Sequence, residues 1–300
     1  MRDADAERGR RIIERGSVSF ALAARLLGPD TRLAAYQLYA WCRHCDDLID
    51  AQHLGHGQRL PIGPAAAAHL AALTHATAEA LRTGDAADPV FRGLAQMVRG
   101  HGIPERHPFE LLEGLGMDVA GLRYRGFDDL RPYCYRVAGV VGVMMAHIMG
   151  AKEAALLARA EDLGIAMQLT NIARDVMDDA RMGRVYLPTD WLADSGVEPE
   201  AVGDPARRAA VAAVVARLLD RADALYRSAD EGIVALPFRE AWSIGAARAM
   251  YADIGRVVRS RGARAWDRRA GVPTVRKLGW VAVALGRTVA ARARPSRGAA

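Results

Sequence analysis

Two acidic clusters set inside apolar, helix-forming sequence constrain this chain more than any other feature. They are Asp46, Asp47 and Asp50 in AWCRHCDDLID, and Asp175, Asp178 and Asp179 in QLTNIARDVMDDARMGRVYLP. An unpaired carboxylate is costly to bury. Asp46 and Asp50 are four residues apart, as are Asp175 and Asp179. On a helix that spacing stacks both carboxylates on one face. Like charges so placed repel unless a cation sits between them. Two such pairs, each with a neighbouring Arg, point to divalent metal ions clamping a phosphorylated ligand.

The surrounding sequence is helical in character. Ala, Leu and Arg recur throughout and favour helices, whereas strand-like alternation of β-branched residues is scarce. Helices are expected over about 4–27 with a bend near Gly16–Ser19, from about 30 to Asp50, and near 65–82, 89–101 and 108–120. Asp128 or Asp129 reads as the N-cap of the next, LRPYCYRVAGVVGVMMAHIM. Further helices are expected near 152–180, 205–231, 239–261 and 275–294, with QHLGHGQRLPIGP and RMGRVYLP as loops. No Pro-, Ser- or Gly-rich linker and no fixed-period repeat divides the 300 residues. The expectation is an all-α chain, a single domain over residues 1–300 with about 293–300 as a frayed tail.

Bulk properties narrow the partners only partly. With 51% hydrophobic residues the chain has ample core, and its net charge of +6 suits nucleic acid, anionic lipid or a polyanionic small substrate. No recognised nucleic-acid motif accompanies the charge, so nucleic acid is the least favoured of the three. Three cysteines are too few for a disulfide scaffold and suit a reducing cytoplasm. The charged N-terminus lacks the apolar stretch of a secretory signal, and no apolar run reaches the roughly 20 residues a spanning helix needs. The expected location is cytoplasmic, with room for peripheral contact with the inner face of the membrane.

In the second cluster Gln168, Asn171, Asp175 and Asp179 follow at intervals of three, four and four. At about 100° per residue they form one polar stripe, with Leu169, Ile172 and Val176 off it and toward the core. Oxygen atoms in such a row suit Mg²⁺, which takes few carboxylates and fills its shell with water and phosphate oxygens. Arg174 beside the stripe and Arg184 beyond it are placed to meet phosphate. Tyr39, Arg43, Asp46 or Asp47, and Asp50 form a similar stripe in the first cluster. The chemistry implied is departure of diphosphate from an allylic substrate. Cations stabilise the leaving anion, while dry apolar walls keep water from quenching the carbocation.

Several long motifs in order carry a resemblance that spans nearly the whole chain: GSVSFALAARLLGPDTR, LYAWCRHCDDLID, LLEGLGMD, YCYRVAGVVGVMMAHIMG, LGIAMQLTNIARDVMDDARMGRVYLP and AARAMYADIG. The chain resembles the squalene/phytoene synthase family of head-to-head prenyl-coupling enzymes. The resemblance implies a helical bundle of the isoprenoid-synthase type with a central cavity. It implies that two geranylgeranyl diphosphates condense through a cyclopropylcarbinyl diphosphate to phytoene. It also implies Mg²⁺ or Mn²⁺, with no NADPH. Carried over by motif position, Asp46 and Asp50 form one metal-binding pair, and Asp175 and Asp179 the other, with Asn171 beside it. Arg43, Gln168, Arg174 and Arg184 match polar positions around the diphosphates. Tyr39, Tyr186 and Tyr251 match tyrosines of the cavity, and Phe20 an aromatic near the reacting centre. Val18 departs from the pattern, standing where relatives often carry a basic residue. A farnesyl diphosphate substrate, giving dehydrosqualene or presqualene diphosphate, is the nearest alternative, and a basic lipid- or nucleic-acid-binding protein is the non-enzymatic one.

Other features read more plainly. Cys42 and Cys45 with His44 lack the second ligand pair of a structural zinc site, and the cysteines read as buried free thiols. The glycines of LLEGLGMD and RVAGVVGVMM suit close helix packing or room for a substrate chain. VVGVMMAHIM is core or a prenyl tunnel wall, and His147 within it reads as a satisfied core histidine. From Arg259 onward Asp267 is the only acid among many Arg, so the terminal helix either lies on anionic lipid or is an ordinary helix with a solvated Arg face. Oligomeric state is left open.

Overall fold

In a computed structural model that describes residues 2–50 and 65–293, the chain is helical with no strand among the described residues. The helices are α1 (Arg2–Gly16), α2 (Val18–Ala24), α3 (Pro29–Asp50), α4 (Ala65–Thr83), α5 (Pro89–His101), α6 (Arg106–Val119) and α7 (Phe127–Cys134). They continue as α8 (Val140–Ile148), α9 (Ala154–Arg181), α10 (Thr189–Asp194), α11 (Arg208–Ala235), α12 (Phe238–Arg261) and α13 (Thr274–Ala293). A five-residue π-helical turn, Tyr135–Gly139, joins α7 to α8. The all-α expectation is met. The loop expected at 52–64 and the tail expected after Ala293 lie outside the described residues.

Helix α9 is the axis of the molecule. Ile165, Ala166, Leu169 and Ala173 on it are fully buried, each large one contributing about 1.5–3 kcal/mol through removal from water. It packs against α8, α11 and α12. Two glycines allow the closest of these approaches. A Cβ on Gly164 would stand 2.3 Å from the Ala138 carbonyl oxygen, and one on Gly142 would stand 2.3 Å from that of Ala160. Gly142 of RVAGVVGVMM therefore serves close helix packing, one of the two readings offered for these glycines. A second core gathers Leu38, Trp41, Cys45 and Ile49 of α3 with α5 and α6.

Local sequence signals set the breaks. Ser17 leaves the helical region (φ −156°, ψ 102°) and its hydroxyl accepts from the Phe20 N–H, so the expected bend is a full break that starts α2. The N-cap expected at Asp128 or Asp129 is corrected: Gly126 holds that position. Asp129 lies three residues on, its carboxylate accepting the Gly126 N–H at 3.2 Å. At the end of α9, Gly183 takes φ +76°. The Arg184 N–H then returns to the Asp179 carbonyl (2.9 Å) and that of Gly183 to Ala180 (3.0 Å). This double closure is how a left-handed glycine stops a helix and turns the chain sharply. The short helix α10, which follows the loop, was not expected.

His147 is also corrected. Its ring lies 6.0 Å from that of His107. Its Nε2 is buried without a hydrogen-bond partner among the described residues, so it is not a satisfied core histidine.

Candidate functional site

A cavity of about 1260 Å³ opens between α2, α3, α8, α9 and α12. All thirteen residues singled out by sequence line it: Phe20, Tyr39, Arg43, Asp46, Asp50, Gln168, Asn171, Arg174, Asp175, Asp179, Arg184, Tyr186 and Tyr251. Both acidic rows therefore face the same hollow. Along α9 the wall changes character. Leu156, Leu163 and Met167 precede Gln168, Asn171, Asp175 and Asp179. At ~1.5 Å per residue, roughly 17 Å of largely apolar wall leads into a polar end of similar length. Arg159 interrupts the apolar part and is paired with Glu231 at 2.8 Å. Opposite, Val141, Met145 and Met149 of the α8 region face the cavity, while Val140, Met144 and Ile148 pack in the core. The stretch VVGVMMAHIM thus serves as tunnel wall on one face and core on the other.

In the first row, Asp46 and not Asp47 faces the cavity. The Arg43 guanidinium lies 4.0 Å from Asp46 and 3.8 Å from Asp47, which sits behind it. Asp46 lines the cavity with 42% of its side chain accessible. Burial in the surrounding protein pushes its carboxyl up to about 7, against the pull of Arg43 and with added repulsion from Asp50, Asp47 and Asp118. The Tyr39 hydroxyl is buried beside Arg43 without a well-formed hydrogen bond. A Cβ on Gly16 would stand 2.3 Å from that hydroxyl, so only glycine leaves it this space.

In the second row, Asp175 is held by two guanidinium groups. Arg174 Nε donates to Oδ1 at 2.9 Å, and Arg269 donates to both oxygens at 3.2 and 3.1 Å. Burial works to raise Asp175, but these bonds outweigh it and hold the carboxyl below its ordinary value. Asp179 is buried. Asn171 Nδ2 donates to Gln168 Oε1 at 3.3 Å, leaving Asn171 Oδ1 buried and without a partner among the described residues.

One residue joins the rows. Arg184, placed by the glycine stop of α9, donates to Asp50 Oδ1 at 2.6 Å, with both side chains mostly buried. Beside this pair lies Asp118, which sequence reasoning passed over. It accepts the Tyr186 hydroxyl (2.7 Å) and the Tyr133 hydroxyl (3.0 Å), and those two rings stack at 5.1 Å. Burial raises Asp118 above the usual carboxylate range, opposed by Tyr186, Arg184 and Tyr133. Elsewhere on the wall Phe20 stacks on Tyr251 at 5.0 Å and meets Tyr39 edge-on at 6.3 Å. Arg269 and Lys277, from the basic C-terminal segment, also line the cavity.

Among the described residues no three His, Cys, Asp or Glu side chains converge closely enough to hold a metal by themselves. The donor set still fits a hard cation that takes its remaining ligands from phosphate and water. The partnerless Asn171 oxygen and the crowded, proton-retaining Asp46 are two sites where positive charge would relieve an unmet demand. All three cysteines are free thiols; Cys45 and Cys134 are buried, whereas Cys42, expected to be buried, is partly exposed where it lines the cavity.

An all-helical cavity with facing acidic rows, Arg on both sides and an apolar extension is the layout of a prenyl-diphosphate enzyme. Comparison narrows this. The profile of the squalene/phytoene synthase family matches residues 13–277. The 15-cis-phytoene synthase of Enterobacter agglomerans is 44% identical over 280 residues, covering 93% of this chain and 95% of that protein. That of Paracoccus sp. is 45% identical over 271 residues, covering 90% and 88%. The fold matches a dehydrosqualene synthase crystal structure with a TM-score of 0.86 at 27% identity, over 96% of this chain and 98% of the other. The chain belongs to the squalene/phytoene synthase family, a family of enzymes.

Proposed function

We propose that this chain is a 15-cis-phytoene synthase, working as one domain and condensing two molecules of geranylgeranyl diphosphate. The observation that carries the reading is the pair of acidic rows facing one cavity whose wall turns apolar along α9. Its volume exceeds the ~300–1,000 Å³ of an ordinary small-molecule pocket, as two long prenyl chains require. The identity to phytoene synthases, at 43–45% over most of the chain, favours C20 over C15 substrates.

Asp46, Asp50, Asn171, Asp175 and Asp179 are the residues that would hold Mg²⁺ or Mn²⁺. Bound there, the ion would neutralise charge on the departing diphosphate. Arg43, Arg174 and Arg184 orient the diphosphates and keep positive charge at the polar end. Gln168 adds an amide to the same wall. Phe20, Tyr39 and Tyr251 present ring faces to the passing allylic cation. The α8 face and the first half of α9 hold the prenyl tails and exclude water. Tyr186, with Tyr133, is fixed by Asp118 where the rows meet. C1 of the allylic cation is captured by the 2,3-double bond of the second molecule, and loss of a proton from that C1 closes the ring to a cyclopropylcarbinyl diphosphate. Loss of its diphosphate, rearrangement and loss of a proton then give the C40 hydrocarbon. No hydride donor enters this sequence, so NADPH is not required. Among the described residues no helix is long and apolar enough to cross a membrane. We place the enzyme in the cytoplasm, at the inner face of the membrane that takes up its product.

The test is incubation of purified protein with geranylgeranyl diphosphate and Mg²⁺, without NADPH, in competition with farnesyl diphosphate. The expected product is phytoene with release of diphosphate. Absence of any C40 hydrocarbon, or preferential formation of C30 product, would overturn the reading.

A further inference from the structure

The terminal helix α13 is apolar on the side that faces outward. Its inner face is fixed. Buried Asp253 accepts from Arg276 (2.6 Å) and from the Trp280 indole (3.0 Å), Ala284 and Thr288 are buried against the body, and Lys277 reaches the cavity wall. The opposite face carries Val275 (83% exposed), Leu278 (53%), Val289 (51%) and Ala282, which fall within about 60° of one another at 100° per residue. Val283 widens the row, and no charged residue interrupts it. Arg287 and Arg292 border it on either side. A large exposed apolar row on a helix that already has its packing partner marks an interaction surface.

Charge selects the occupant. From Arg259 to the C-terminus the chain has eleven basic residues and one acid, Asp267. That acid is paired with Arg208 at 2.6 Å, and Arg259, Arg269 and Arg276 are paired with Asp220, Asp175 and Asp253 of the body; the other basic residues set the charge of this segment. A second copy of this chain would bring like charges together around the row. A nucleic acid would answer the charge but not the exposed Val and Leu. An anionic bilayer answers both, since an amphipathic helix lies in the interface with its apolar face among acyl chains and its basic edge at the headgroups. We propose that the outer face of α13 docks this protein on anionic lipid. The docking does not rest on the function proposed above.

The test is co-sedimentation of the full chain with phosphatidylglycerol-containing vesicles and with purely zwitterionic ones. It compares wild type with Leu278→Glu/Val289→Glu, Val275→Asp and Arg287→Glu. Diphosphate release in detergent and thermal melts are measured alongside. Wild type is expected to bind anionic vesicles about tenfold or more better than zwitterionic ones. The double variant should lose at least about tenfold in vesicle partitioning while melting and turning over in detergent as wild type does. Val275→Asp, at the most exposed site, gives a second reading should the double variant fold poorly. Wild type that stays in the supernatant overturns the inference. So do variants that sediment unchanged, or a wild-type dimer that the substitutions dissociate without vesicle binding. Vesicle binding as expected with no C40 product would instead overturn the proposed function.

Discussion

The two acidic rows share a spacing and differ in their charge balance. On α9, Asp175 is met by two forked guanidinium groups and its carboxyl lies below the ordinary range despite burial. On α3, Asp46 has one guanidinium at 4.0 Å and three neighbouring carboxylates, and burial carries it to about 7. Among the described residues, Asp175 is thus supplied with positive charge by the chain itself, while Asp46 has the more distant Arg43 and is crowded by carboxylates. On the proposed reading, Asp46 depends on added cation, and Asp175 is pre-set to receive a diphosphate already bearing metal. The Arg184–Asp50 pair is the physical link between the two.

Removing either row should have the largest effect. Asp46→Ala and Asp175→Ala are each expected to lower product formation by on the order of 10²–10³ or more, measured as C40 hydrocarbon from geranylgeranyl diphosphate. The comparison itself is tested by the milder amides. Asp46→Asn should raise the Mg²⁺ concentration needed for half-maximal rate more than Asp175→Asn does. An equal shift would show that the rows depend on cation alike. Next in size is Arg184→Ala. Breaking a mostly buried ion pair costs about 3–5 kcal/mol, so chemical denaturation should show a loss of that order, accompanied by loss of activity. Wild-type stability in this variant would mean that the rows do not rely on their link.

Much of this was legible because both rows are local. A stripe at three- and four-residue spacing on a strongly periodic helix fixes its own face, and α3 and α9 needed no tertiary knowledge. Asp118 was not found, because a single carboxylate has no partner spacing. The signal present was weaker: Leu111, Leu115 and Asp118 share a helical face, and the two leucines are buried, so the acid had to point inward too. Arg269 is invisible for another reason. It stands 94 residues from Asp175 in sequence and is brought there when the Trp266 indole donates to the Ala173 carbonyl at 3.1 Å. The π-helical turn at Tyr135–Gly139 depends on how helices pack and leaves little trace in composition. The membrane and solvated readings of the C-terminal helix stayed balanced in sequence, because only packing shows which face is turned outward.

The same contrast should appear in stability without metal. In EDTA, Asp175→Asn is expected to cost about 1–3 kcal/mol, since two guanidinium groups lose a charged acceptor, whereas Asp46→Asn should cost nothing or stabilise. The pH dependences have opposite sign. Asp46 holds a proton in the folded state that the unfolded chain releases from about pH 4, so its contribution to stability falls as pH rises from there to about 7. Asp175 has a lowered folded value, so its contribution is complete at neutral pH and is lost as pH falls through that value. Denaturation from about pH 2 to 8 should show the alkaline-side decline flattened in Asp46→Asn and, below about pH 4, the acid-side loss reduced in Asp175→Asn. Identical profiles in the two variants would break the comparison.

The smallest change tests how the link is built. Gly183 has open space around its Cα, so Gly183→Ala meets no clash. The cost is conformational alone, about 1–2 kcal/mol for a residue with a Cβ at φ +76°. If the turn relaxes to relieve it, the Arg184 guanidinium moves off Asp50 and the rows lose their connection. The expected outcome is a modest fall in melting temperature with a disproportionate fall in kcat, partly recovered at high Mg²⁺, because added cation then stands in for the Arg184 guanidinium at Asp50. A variant that loses the stability but keeps full kcat would show that Arg184 finds Asp50 without help from the glycine turn.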